Sequence, residues 1–132
     1  MFIIKKKYIL LKDLEVYKLA RGLSKIAWEI YDLLDWRTKK IMGNQFIEST
    51  DSVGANIGEG YGRFHYLDKI KFYYNARASL SECSDHWIEL LKEREKINNN
   101  KYENFKIIAG KLSLKLNNFI TSTYKSKDNK FQ

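Results

Sequence analysis

Apolar residues recur at intervals of three and four residues between Asp13 and Asp35. Each such step returns to nearly the same side of a helix with 3.6 residues per turn, so the pattern predicts an amphipathic helix. Asp13 is the predicted N-cap of this helix. Trp28 lies at the edge of two adjacent apolar stripes, and the resulting arc is wider than one packing partner requires. The main stripe consists of Val16, Leu19, Leu23, Ile26, Ile30 and Leu33.

The same spacing predicts three further helices, over about 44–59, 68–96 and 102–124. Residues 36–40 are predicted to form a loop. Gly54 and Gly58 are four residues apart, so they should form a groove in which another helix approaches closely. The positions predicted to be buried are Phe46, Val53 and Ile57 in the second helix, Tyr73, Ala76, Leu80, Cys83, Trp87 and Leu90 in the third, and Tyr102, Phe105, Ala109, Leu112, Leu116 and Phe119 in the fourth.

Long helices joined by short polar connections pack as antiparallel neighbours. The chain contains no Pro, the strongest helix breaker. The sequence therefore predicts an all-α, antiparallel up-down four-helix bundle over residues 12–125. A basic tail over residues 1–11 and a polar tail over residues 126–132 should flank it. The apolar pieces of the first tail are interrupted by lysines and are too short for a membrane span, and the single cysteine favours a reducing cytoplasm.

The net charge of +8 is concentrated at the two ends of the chain. Residues 1–12 carry +4 and residues 101–132 carry +5, whereas residues 13–100 carry −1. This distribution favours attraction to a polyanion such as RNA. Lysines that serve only solubility are an equally good interpretation of the same pattern.

Candidate catalytic and metal-binding groups are scarce. The two histidines, His65 and His86, lack the Glu-x-x-His spacing that a di-iron bundle needs on two helices. Cys83 and His86 share a helix face, but Cys83 lies in the apolar stripe, where a buried thiol is inert packing. The glycines of residues 58–62 lack the lysine of a phosphate-binding loop and are predicted to end a helix. We expect no enzymatic activity, no cofactor and no metal.

Aromatic residues surround three cations in the middle of the chain. The cations are Arg63, Lys69 and Lys71, and the aromatic residues are Tyr61, Phe64, Tyr66, Phe72, Tyr73 and Tyr74. Such a cluster can stack bases and bind phosphates. We favour the alternative, in which Tyr73 belongs to the core and the others fill a helix or subunit interface.

Three segments resemble a known family. They are Lys12–Tyr17 (KDLEVY), residues 51–63 (DSVGANIGEGYGR) and residues 76–82 (ARASLSE), and Gln45 matches a further polar position. They resemble the four-helix-bundle proteins encoded in intervening sequences of bacterial large-subunit ribosomal RNA genes. The chain departs from the family pattern at Gly54, where Pro is common, and at Gly58, where Ala is common.

The resemblance implies an up-down bundle that assembles into a ring, commonly a homopentamer, without enzymatic activity. The family is also similar in fold to the accessory variability proteins of diversity-generating retroelements, which are basic pentameric barrels that bind a reverse transcriptase and RNA. We therefore expect a cytoplasmic, oligomeric adaptor that binds structured RNA or a nucleic-acid enzyme. The alternative is a protein-interaction scaffold without direct nucleic-acid contact.

Two sets of candidate site residues follow. The nucleic-acid-binding candidates are Lys5, Lys6, Lys7, Arg63, Lys69, Lys71, Lys111, Lys115 and Lys125. The family-motif residues with an expected structural role are Asp51, Ser52, Gly54, Asn56, Glu59 and Gly60. For Asn56 and Glu59 we expect capping of backbone groups on a neighbouring helix.

Overall fold

The computed structural model describes residues 8–129, and the side chains of residues 8–126. These residues form four long helices and no strand. Helix α1 spans Glu15–Asp32 and follows a short 3-10 turn at Leu11–Asp13. Helix α2 comprises Trp36–Thr38, a π-helical stretch Lys39–Gly43 and Asn44–Tyr61. Helix α3 comprises Tyr66–Ser81, a π-helical stretch Glu82–Trp87 and Ile88–Glu93, and helix α4 spans Asn99–Asn129.

Each helix packs against its two neighbours in an antiparallel arrangement. Two hydrogen bonds show that α1 and α2 run in opposite directions. Tyr31, late in α1, bonds to Asn44, early in α2, whereas Ser24, earlier in α1, bonds to Asp51, later in α2. Helix α4 closes the bundle by packing on both α3 and α1. The predicted all-α four-helix fold is confirmed. No helix in the described part of the chain combines the length and apolar character that crossing a membrane requires.

Three predicted boundaries are wrong. Asp13 does not cap α1, because it lies in the preceding turn and Leu14 takes the cap position. The predicted loop at residues 36–40 is helical, because Asp35 caps α2 by accepting bonds from the Thr38 N–H at 2.8 Å and the Thr38 hydroxyl at 3.1 Å. The Thr38 backbone bond is also the main cause that lowers the pKa of Asp35. The predicted C-terminal tail begins inside α4, which continues to Asn129.

The core contains most of the residues that the apolar pattern selects, including Val16, Phe46, Tyr73 and Leu112. Leu33 is an exception, since 70% of it is exposed where α1 ends. In α3, Ile88 and Leu91 are fully buried, whereas the predicted core residues Trp87 and Leu90 are only half-buried. The π-helical stretch explains this difference, because it adds one residue to a turn and shifts every later residue by one position.

Helix α2 approaches its neighbours most closely at its glycines. A Cβ atom at Gly54 would lie 3.6 Å from the Ala20 Cβ on α1, so the predicted close contact is confirmed there. Among the described residues, a Cβ atom at Gly58 would meet only Leu11, in the turn before α1, so the prediction of a close helix at Gly58 is wrong. At Gly60 a Cβ atom would lie 2.6 Å from Tyr73 and 3.0 Å from the Lys69 carbonyl oxygen on α3. Gly60 therefore has no room for a side chain. Helix α2 ends at Tyr61 and Gly62 caps it, so the glycine-rich segment ends a helix as predicted.

Substitution Gly60→Ala should destabilise the protein, because the new methyl group would overlap the buried Tyr73 ring. We expect a loss of about 1–3 kcal/mol in the free energy of unfolding, measured by urea denaturation at a fixed protein concentration. Gly110→Ala is the matched control, since no described atom lies within 4 Å of a Cβ there. Gly110→Ala should raise the free energy of unfolding by up to about 1 kcal/mol, because Ala has a higher helix propensity than Gly. Equal effects of the two substitutions would contradict the close α2–α3 contact.

Candidate nucleic-acid interface

The first two polar residues of the family motif connect α2 to both of its neighbours. The Asp51 carboxylate accepts a bond from the Ser24 hydroxyl at 2.5 Å and one from the Trp28 indole N–H at 3.1 Å, both on α1. Ser52 accepts a bond from the Ser79 hydroxyl of α3 at 2.9 Å. Ser24 and Trp28 are not recognisable from the sequence as partners of Asp51, because no local pattern links residues separated by more than twenty positions.

The other two polar motif residues make contacts that differ from the expected capping of a neighbouring helix. Asn56 donates to the carbonyl oxygen and the hydroxyl of Ser52, both at 2.9 Å, so its bonds stay within α2. Glu59 forms an ion pair of 3.1 Å with Arg63, four residues later. Both residues therefore organise the end of α2 itself and do not cap another helix.

Two of the cations predicted near the α2–α3 connection already have close partners. Arg63 pairs with Glu59 and lies 4.8 Å from the centre of the Phe72 ring. Lys69 donates to the Tyr61 carbonyl oxygen at 3.0 Å, and its ammonium lies 5.4 Å from the Tyr61 ring. Lys71, in contrast, is exposed.

Helix α4 presents a basic surface. No acidic residue occurs between residues 104 and 126. Lys111 and Lys125 are exposed, and neither forms an ion pair with another described residue. Lys115 lies 3.5 Å from Glu15 of α1, an exposed contact that contributes little to stability.

The structure brings some of these cations together and separates others. The hydroxyl of Tyr74 on α3 lies 3.0 Å from the hydroxyl of Tyr124 on α4. Lys71 and Lys125 are close to these two tyrosines in sequence, so they lie at the same end of the bundle. Tyr8 lies at this end as well, because it packs against Tyr61 with ring centres 5.8 Å apart. Lys111 is 14 residues from Lys125, or about 21 Å along the helix axis. Lys5, Lys6 and Lys7 lie outside the described residues.

The aromatic cluster of residues 61–74 divides into core and surface. Tyr73 is buried against Phe119, with ring centres 4.8 Å apart, and burial raises its pKa. Phe64 is 81% exposed and meets His65 edge to face. The assignment of Tyr73 to the core is confirmed, and the role of the surface aromatics stays a prediction.

Lys106, which was not among the candidates, is held in a polar cluster between α3 and α4. Its ammonium lies 3.0 Å from Glu89 and donates to the Ser84 carbonyl oxygen at 2.7 Å. Burial acts to raise the pKa of Glu89, but hydrogen bonds from Tyr102 and Lys106 outweigh it, so the pKa of Glu89 is lowered. The bond to Glu89 raises the pKa of Tyr102 to about 12. Lys106 is thus a structural cation.

Cys83 has the surroundings of a packing residue. It is fully buried, and its Sγ donates to the Leu80 carbonyl oxygen at 3.3 Å. Burial raises the pKa of this thiol to about 12, so it is protonated at neutral pH. His86 is exposed and packs edge-on against Trp87. Among residues 8–129, no group of three His, Cys, Asp or Glu side chains could hold a metal ion.

Substitution Asp51→Ala should destabilise the bundle by about 1–2 kcal/mol, because Ser24 and Trp28 would lose a charged acceptor at the α1–α2 contact. Urea denaturation measures this change. The control is Glu48→Ala, since Glu48 is exposed one turn earlier and forms no side-chain bond within the described part of the chain. A loss from Asp51→Ala no larger than the loss from the control would show that the Asp51 bonds contribute nothing.

A similar solved structure supports the fold. The chain resembles the crystal structure of a protein of unknown function from the S23 ribosomal protein family of Bacteroides thetaiotaomicron VPI-5482, with 25% sequence identity and a TM-score of 0.75. The alignment covers 81% of this chain and 96% of that one. No curated protein matches the chain.

The family described as 23S rRNA-intervening sequence protein matches residues 12–118, which include all three segments that carry the resemblance. This range contains α1, α2 and α3 completely and most of α4. The chain therefore belongs to the 23S rRNA-intervening sequence protein family.

Proposed function

We propose that the protein is a non-enzymatic, oligomeric adaptor that binds structured RNA. The basic surface of α4 carries this proposal: Lys111 and Lys125 are exposed on a stretch of 23 residues, 104–126, that contains no acid. Exposed lysines bind RNA phosphates and release condensed counterions, which favours binding at low salt. The family's description, which refers to a ribosomal RNA, supports the choice of RNA. The proposal places the protein in the cytoplasm.

Local ion pairs do not prevent Arg63 and Lys115 from taking part. Both pairs are exposed, and exposed pairs contribute only about 0–1 kcal/mol. A phosphate group can therefore replace Glu59 or Glu15 as the partner at low cost. Lys71 and Lys125 are at one end of the bundle, so an RNA that spans from this end to Lys111 would contact cations over about 21 Å.

The oligomeric part of the proposal, a ring and in particular a homopentamer, rests on the family resemblance and on exposed apolar side chains. Residues with more than 40% exposure include Trp28, Leu33, Trp36 and Leu114. Trp28 lies on α1, where the sequence indicates an apolar arc wider than one partner needs. Surfaces of this kind favour association with another copy or another protein.

A protein-interaction scaffold without direct RNA contact is the second candidate. The observation that favours it is the local pairing of Arg63 with Glu59 and of Lys115 with Glu15, because these contacts reduce the charge available to RNA. In this case Lys111 and Lys125 would serve only solubility. Nuclease treatment distinguishes the two candidates, because it would remove an RNA partner but would leave a protein partner bound.

Light scattering with in-line size exclusion should give a mass near five protomers, each of 15.7 kDa. At low salt the peak should carry nucleic acid, which raises absorbance at 260 nm relative to 280 nm, and rising salt should remove it because salt weakens phosphate contacts. A monomer would contradict the ring. A protein peak without nucleic acid at every salt concentration would favour the scaffold.

The double substitution Lys111→Gln and Lys125→Gln should weaken RNA binding. Each lost phosphate contact lowers the slope of log affinity against log salt by about 1, so the pair should lower it by about 2. Fluorescence anisotropy with a structured RNA measures the slope. Lys18→Gln with Lys25→Gln on α1 is the control with the same charge change, since both residues are exposed. Equal slopes for the two double variants would mean that α4 is not the binding surface.

A further inference from the structure

A groove of about 720 Å³ lies at the end of the bundle where the α1–α2 and α3–α4 connections meet. Its apolar residues are Ile41 and Met42 from α2 and Trp87 and Leu90 from α3. Ile41 is 60% exposed, and the other three are half-buried. The groove is at the opposite end from Tyr61 and Tyr8, so it is separate from the surface proposed to bind RNA at that end.

Both π-helical stretches border this groove. Lys39–Gly43 contains Ile41 and Met42, and Glu82–Trp87 ends at Trp87. A π-helical turn has weaker hydrogen bonding than an α-helical turn, and such turns occur frequently at functional sites. Two such turns therefore lie on adjacent helices and border the same space.

The π-helical stretches determine which apolar residues line the groove. In α3 the apolar spacing before the stretch would place Trp87 and Leu90 in the core, but the added residue buries Ile88 and Leu91 in their place. Trp87 and Leu90 consequently line the groove. In α2 the stretch ends at the buried Gly43, where a Cβ atom would lie 3.1 Å from Tyr31 and Leu34, while Ile41 remains exposed.

The charged residues of the groove are mainly basic. Arg37, Arg94 and Lys96 line it together with a single acid, Asp35. Asp35 lies 3.9 Å from Lys96, and neither Arg37 nor Arg94 forms an ion pair with a described residue. The C-terminal end of α3, next to Arg94 and Lys96, has the geometry of a Schellman motif. The Lys96 N–H donates to the Leu91 carbonyl oxygen at 2.9 Å, and Glu95 has a φ of 57°.

We propose that this groove docks an amphipathic, acidic helix of a protein partner. The apolar face of such a helix would contact Ile41 and Trp87, and its acidic flanks would pair with Arg37 and Arg94. The apolar lining favours a protein over RNA, since Trp87 is the only aromatic residue among the side chains that line the groove and could stack a base. The proposal goes beyond RNA binding and does not depend on it.

A designed peptide of about 18 residues, or five helical turns, tests the proposal. It carries Leu at positions i, i+3, i+4 and i+7 and Glu on the other face, and fluorescence anisotropy measures its binding to the full-length protein. Two peptides serve as controls: one has the same composition in scrambled order, and the other has Lys in place of Glu. The acidic amphipathic peptide should bind at least about tenfold more tightly than either control.

Ile41→Glu should weaken binding of the acidic peptide by at least about tenfold, because it places a charge in the apolar part of the groove. Ile107→Glu on α4 is the matched control, since Ile107 is 59% exposed and Ile41 is 60% exposed. The control should change affinity by less than about twofold. Arg37→Glu and Arg94→Glu should each weaken binding and reduce its dependence on salt. Thermal unfolding of every variant checks that the fold is intact.

Several outcomes would overturn the proposal. These are absence of binding by the acidic peptide, equal binding by the scrambled peptide, and equal effects of Ile41→Glu and Ile107→Glu. A loss of RNA affinity in Ile41→Glu without loss of peptide affinity would assign the groove to nucleic acid. A smaller mass of Ile41→Glu in light scattering would assign it to a second copy of the chain. The Lys111 and Lys125 substitutions test RNA binding separately, so failure of one proposal does not imply failure of the other.

Discussion

Helix α2 lies so close to α3 that a side chain at Gly60 would overlap the buried Tyr73 ring, and the rest of the bundle depends on this contact. With α2 held there and against Ala20 at Gly54, Asp51 comes within bonding distance of Ser24 and Trp28. The glycines of the family motif thus determine the separation of the helices, and its polar residues determine their register. The motif residues therefore form packing and hydrogen-bond contacts between α2 and both of its neighbours.

The two π-helical stretches affect the end of the bundle farthest from Gly60. In α3 the stretch buries Ile88 and Leu91 and leaves Trp87 and Leu90 at the surface of a groove. A protein selected for stability alone would gain by keeping apolar side chains in the core at about 25 cal/mol per Å² of buried area. Their exposure beside two arginines is consistent with a partner that covers them.

The lysines of α4 differ in their surroundings, and the composition of the chain does not reveal this difference. Lys106 is held by Glu89 and the Ser84 carbonyl oxygen and stabilises the contact between α3 and α4. Lys111 and Lys125 on the same helix are exposed and available to a partner. Since exposed charges interact weakly and exchange partners readily, the exposed lysines contribute little to the stability of the fold.

The sequence by itself determined the helical class, most of the core and the close helix contact at Gly54, because periodicity and the absence of a side chain are local properties. The cap of α2, formed by Asp35 and Thr38, is also a local feature of the sequence, although a loop was predicted there. Only the tertiary structure decided the partners of Asp51, the roles of the individual lysines and the shift of register after Cys83. These features depend on which surfaces meet across the bundle, and a π-helical turn is stable only where packing against neighbouring helices compensates its weaker hydrogen bonds.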